Sequence, residues 1–247
     1  MATRLGIALK AAGHEFVQVY SRTEAAADSL ASLLGAEAVV SPQSLKETDL
    51  LICALKDDAL PAALQQIQVG NAVLVHTAGS LPLAVLQPFA AKTGVFYPLQ
   101  TFNKDRRVDF STVPIFLEAS DTATLDLLRG LAADLGSTAH EATSEERLKL
   151  HLSAVFACNF VNYLYSISND LLAEQNLSFD LLKPLILETA AKVMEQDPSK
   201  VQTGPAVRFD RTVMDKHLAL LETHPAWKSL YEDLSLGIHQ RSKISEK

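Results

Sequence analysis

The fold class that this 247-residue sequence predicts is α/β, a parallel sheet domain followed by an all-helical domain. Three observations lead there. Apolar runs of strand length alternate with helix-period stretches up to about residue 142. The strand-like runs are nearly unbroken in apolar residues, as parallel strands covered on both faces are. From Ser144 onward the strand signal vanishes. The boundary this implies divides the chain into residues 1–142 and 143–247.

The elements follow in order. Leu5, Ala8, Leu9 and Ala12 recur at helical spacing and stop at Gly13, a helix-ending residue. No strand precedes that helix. Residues 15–20 read as a strand, 23–34 as an Ala-rich helix and 38–40 as a short strand. The apolar run 49–55 is a buried strand, after which Asp57 and Asp58 start a helix. Residues 72–77 repeat the pattern, followed by the polar loop Ala78-Gly79-Ser80 and a helix through about residue 91. Two more strands lie at 95–97 and 114–118, with a helix over 122–135 behind them. This alternation means a parallel sheet with crossover helices. Thr143, Glu145 and Glu146 mark the N-terminus of a helix running to about residue 174, roughly 45 Å long. Further helices cover 180–195, 212–223 and 226–240, and residues 202–208 read as extended.

Composition narrows the class. With 48% hydrophobic residues and a mean hydropathy of +0.11, the chain can bury real cores. No run approaches the ~20 uninterrupted apolar residues of a membrane span, and no secretory signal is visible, so a soluble, cytoplasmic protein without a membrane partner is expected. Cys53 and Cys158 both fall in apolar segments and read as reduced core thiols. The seven histidines are scattered, which gives no metal site. A formal charge of -7 argues against nucleic acid as a partner.

Polar residues recur at the carboxyl ends of successive strands, where open α/β sheets bind ligands. Ala54-Leu55-Lys56-Asp57, His76-Thr77-Ala78-Gly79-Ser80 and Tyr97-Pro98-Leu99-Gln100-Thr101-Phe102 together suggest a cleft. The last two closely match the His-Thr-x-Gly-Ser and Tyr-Pro-Leu-Gln-Thr-Phe motifs of the Rossmann-like/DUF2520 proteins. Gln202-Thr203-Gly204-Pro205-Ala206-Val207-Arg208 resembles that family's Gln-Thr-Gly-Pro-Ala-x-Arg motif, and the likeness covers nearly the whole chain. The family is one of predicted NADP oxidoreductases related to the pyrroline-5-carboxylate reductase and 6-phosphogluconate dehydrogenase group. The resemblance implies a Rossmann-like domain in which Leu55, Lys56, His76, Thr77 and Gly79 border the cofactor and Tyr97, Gln100, Thr101, Gln202 and Arg208 face a small-molecule substrate. It also aligns Ala2 with the third small position of the glycine turn. The turn's two glycines and the first strand would then lie upstream of Met1, an N-terminal truncation. The alternative is an ordinary N-terminal helix in a different α/β fold.

The residues speak to cofactor choice independently. An NAD enzyme places an acid at the end of the second strand to bind the ribose hydroxyls. Here Tyr20-Ser21-Arg22-Thr23 offers a guanidinium and two hydroxyls at a helix N-terminus, which suits the phosphate of NADP. The other reading leaves Arg22 a solvated charge and Thr23 a plain helix cap.

On the long helix, Arg147, His151, Cys158, Asn159, Asn162, Tyr165, Ser166 and Asn169 share one face. Residues 152–167 carry no charge, so both faces are expected to be buried. Either the stripe binds substrate, with His151, Asn159 and Asn162 as catalytic candidates, or its Asn residues bond neighbouring helices or a dimer seam. Glu188 and Lys192 have the spacing of a surface salt bridge. Arg208 either clamps a substrate carboxylate or pairs with Glu188. The expected function is hydride transfer between NADP and a keto acid or imine, in a homodimer. The alternative is a non-catalytic NADP-binding or scaffold protein, favoured by the lack of a Lys over residues 152–167 of the long helix.

Overall fold

The computed structural model describes residues 1–103 and 106–245. They form two compact units, Met1–Asn159 and Phe160–Lys247.

In the first unit, α1 (Ala2–Ala11) buries Leu5 and Leu9 and ends ahead of Gly13, whose φ of 98° takes the chain out of the helix. The strand β1 (Gln18–Tyr20), helix α2 (Glu24–Leu34) and strand β2 (Glu37–Val39) follow, and β1 and β2 pair in parallel. A separate sheet has the order β3-β4-β5-β6-β7, built from Leu50–Cys53, Val73–His76, Thr93–Pro98, Ile115–Ala119 and Ala139–Glu141. Every residue of β4 and β5 is buried, as their apolar runs require. Leu5 and Leu9 of α1 share one core cluster with Val75, Phe96, Ile115 and Leu117 of the sheet. Leu128 and Leu131 join it from α4 (Thr122–Asp134), while α3 (Leu60–Leu64) packs in a second cluster with Cys53 and Leu74.

Several sequence expectations change. The sheet is parallel except at β5 and β6, which pair antiparallel because no crossover helix joins them. The helix expected through residue 91 is only a 3₁₀ turn, Leu83–Val85, between Pro82 and Pro88. Proline lacks the N–H an α-helix would need there. Strand β7 was not legible, since all three of its residues are exposed and only pairing with β6 organises them.

The long helix is continuous over Ser144–Ala173: α5 (Ser144–Ala154), a π-helical stretch (Val155–Phe160) and α6 (Val161–Ala173). The expectation that both its faces are buried fails. Phe156 and Phe160 are exposed with Asn159, Asn162 and Asn169, and Cys158 is an exposed thiol rather than a core one. By length and composition alone this helix could cross a membrane, with a mean hydropathy of 1.2 over its most apolar window.

The second unit adds α7 (Lys183–Glu195), α8 (Pro205–Arg208), α9 (Arg211–Leu220) and α10 (Pro225–Ser245). Residues 202–208, expected as extended, fold partly into α8. Gly204, at φ 110°, ends the extended part and Pro205 opens the helix. Neither α6 nor α7 has a buried residue; Leu187 is 72% and Met194 85% exposed.

Candidate functional site

The N-terminus of the long helix is fastened to the sheet by a buried ion pair. Thr143 and Glu146 form a reciprocal capping box. One turn on, Arg147 is fully buried; its guanidinium pairs with Glu118 of β6 and donates to the Leu81 carbonyl at 2.5 Å. Ser144 Oγ donates to the same carboxylate at 2.8 Å and accepts from the Leu83 N–H at 3.0 Å. Glu118 is the only charge in the apolar run 115–119, which was the available sequence signal for a buried partner.

Four residues after Arg147, and therefore on the same helix face, His151 meets the end of β5. The Tyr97 hydroxyl lies 3.2 Å from His151 Nδ1, with the rings edge-on at 71°. Gly79 packs directly over this contact. A Cβ on it would fall 2.7 Å from Tyr97 Cζ and 2.8 Å from His151 Nδ1, closer than real Cβ contacts come. Burial raises the Tyr97 pKa, with Arg147 acting in the opposite direction, so the phenol stays neutral near neutral pH.

The loop after β4 is built from buried polar groups. His76 is fully buried and its Nδ1 accepts from the Ala78 N–H at 3.2 Å. Desolvation, reinforced by Arg147, lowers its pKa to about 4, which leaves it neutral and unable to serve as a proton donor at neutral pH. The Thr77 side chain is also buried. Ser80 donates to Asp57, tying this loop to the one after β3; the sequence placed both in the cleft loops without giving either a role of its own.

The other sequence-predicted residues fall as follows. At the end of β1, Ser21, Arg22 and Thr23 have no side-chain hydrogen bond or ion pair among the described residues, and Thr23 is the N-cap of α2 without using its hydroxyl. Leu55 and Lys56 are exposed after β3, and Ala2 opens α1. Gln100 accepts from the Thr101 N–H at 2.8 Å, and both are exposed. Asn159 is exposed in the π-helical stretch. In the second unit, Asn162, Gln202 and Arg208 are exposed, and Gln202 Nε2 donates to the Thr203 carbonyl at 3.1 Å. Glu188 pairs with Lys192 at 3.3 Å, so the Glu188–Arg208 bridge is not formed. No group of His, Cys, Asp and Glu among the described residues could hold a metal ion.

A Rossmann-like domain model matches residues 1–101, and the domain of unknown function DUF2520 matches residues 113–238, half of the chain. No curated protein matches. Among solved structures, a candidate NADP oxidoreductase from Bacteroides fragilis is 45% identical, with 96% of this chain and 93% of that chain covered and a TM-score of 0.92. A protein from Thermotoga maritima is 20% identical, covering 96% of this chain and 95% of its own, with a TM-score of 0.80. A reductive aminase from Aspergillus terreus, solved with NADPH and ethyl levulinate, shares the fold at 15% identity, with 99% and 91% covered and a TM-score of 0.73. With half its length matched by the one model and near-complete overlap with a close relative, the chain belongs to the DUF2520 family and carries the Rossmann-like fold of NADP oxidoreductases.

Proposed function

We propose that this protein is an NADPH-dependent reductase of a C=N or C=O bond in a small polar substrate, with residues 1–142 binding the nucleotide. The observation that carries the reading is the Tyr97–His151 pair under Gly79, a titratable group held at the strand ends where α/β sheets bind ligands. The Bacteroides fragilis relative adds weight to the cofactor. The uncommitted Ser21, Arg22 and Thr23 side chains beside the N-terminus of α2 fit an adenosine 2′-phosphate. Ala2 would place the N-terminus of α1 at the pyrophosphate. Leu55, Lys56, Thr77 and Gly79 would border the rest of the cofactor, the buried His76 supporting them from beneath.

When bound, the reduced nicotinamide supplies a hydride to the substrate carbon. His151 supplies the proton to the substrate nitrogen or oxygen, imidazole being the side chain most often used for positioned proton transfer. Asn159, Gln100 and Thr101 are exposed amide and hydroxyl groups able to orient a polar substrate. NADPH consumption measured over a panel of cyclic imines and 2-keto acids tests the reading. Consumption with at least one class is the expected result. NADPH binding without oxidation by any of them would favour the non-catalytic reading, which the absence of a Lys over residues 152–167 also supports.

The uncovered apolar surfaces of α6 and α7 fit a homodimer through the second unit, because patches of this kind on soluble proteins mark interfaces. Light scattering should then read twice the 26.8 kDa chain mass. A monomeric mass at micromolar concentration would refute the dimer.

A further inference from the structure

Deepening the reductase reading and resting on it, the geometry points to Tyr97 as the positioning residue for His151: its hydroxyl engages Nδ1 so that Nε2 is the nitrogen that carries and delivers the proton offered to substrate. This differs from the direct substrate contact that the sequence suggested. Tyr97 is only 8% exposed, its ring packed with Leu83, Val95, Leu99 and Phe116, and its hydroxyl makes its bond to His151. Gly79 covers that bond and leaves no room there for a side chain.

The proton arithmetic follows from a phenol that burial keeps neutral. Beside a neutral imidazole the phenol O–H donates to Nδ1, which leaves the ring proton on Nε2. Beside an imidazolium the phenol oxygen accepts from Nδ1–H, and Nε2 is protonated again. Once the imidazolium has given its Nε2 proton to the substrate heteroatom, the ring is neutral and Nδ1–H still donates to the phenol oxygen. The hydride has meanwhile gone to the substrate carbon, and the electron pair of the double bond has taken up the proton. Tyr97 gains and loses nothing in the cycle. Through these steps its oxygen accepts from Nδ1–H, and a proton taken up from solvent at Nε2 restores the imidazolium.

Two measurements on the full chain test this. Long-range ¹H–¹⁵N NMR of the histidine rings, with the His151 signals assigned by their loss in His151→Gln, needs no substrate. At alkaline pH, where the ring is neutral, wild type should show Nδ1 unprotonated and Nε2 protonated. Tyr97→Phe should move both nitrogens toward the averaged shifts of mixed tautomers. Gly79→Ala, which forces the two rings apart, should do the same and serves if Tyr97→Phe does not fold. Identical His151 shifts in wild type and variant would overturn the assignment.

In turnover, Tyr97→Phe should lower kcat by about 10–100-fold, the usual cost of losing a partner that orients a functional histidine, with substrate KM unchanged. Adding it to His151→Gln should cost almost nothing more, because residues acting as one unit are not additive. A raised KM, or a full further loss in the double variant, would instead make Tyr97 a direct substrate contact. If wild type turns over nothing, the reductase reading fails, and the NMR result still decides whether Tyr97 fixes the ring.

Discussion

Replacing His151 by Gln lowers NADPH-dependent turnover by about 10²–10⁴-fold, the range for loss of a positioned general acid, while the NADPH dissociation constant stays within about twofold. The two effects separate because His151 is attached to Tyr97, whereas the uncommitted donors suited to the adenosine phosphate sit at Ser21, Arg22 and Thr23. Glutamine keeps hydrogen-bonding capacity and approximate size but cannot ionise near neutrality. Stopped-flow NADPH oxidation alongside a nucleotide titration checks both halves. Undiminished turnover would remove His151 from the chemistry.

Glu118→Gln should destabilise the first unit by about 3 kcal/mol, because removing one partner of a buried ion pair strands the other charge. Arg147 is fully buried and Glu118 retains some exposure, which sets the expectation at the lower end of the usual range. The Ser144 hydroxyl loses its carboxylate partner as well. Pairing Glu118→Leu with Arg147→Met removes both charges and should recover most of the loss, since apolar replacement of a buried pair is often close to neutral. Urea denaturation of the wild type and both variants reads this directly. Equal losses in the single and double variants would show that the pair does not act as a unit. Turnover is expected to fall in Glu118→Gln too, as the helix turn presenting His151 is the one that Arg147 anchors.

Much of this was legible in the residues. The unbroken apolar runs located β4 and β5, and Thr143 with Glu146 located the start of the long helix, because burial and capping are local properties of sequence. Gly79, Tyr97 and His151 each stood out by motif or by helix face. Their convergence did not, since it depends on the antiparallel turn from β5 to β6 and on the Arg147–Glu118 pair, contacts distant along the chain. The long helix misled for a related reason. A face without charge implies burial only once something covers it, and Asn159, Phe156 and Phe160 are exposed in one copy of the chain. Exposed β7 and the short α8 carried no hydrophobic period to read.

NADPH dependence is tested most directly by a fluorescence titration of NADPH and NADH against the wild type and Arg22→Ala. Charge-assisted hydrogen bonds to the 2′-phosphate should make NADPH bind about 10–100-fold more tightly than NADH. Arg22→Ala should erase most of that preference and leave NADH affinity unchanged. Equal affinity for the two nucleotides in the wild type, or binding of neither, would contradict an NADPH-dependent reductase.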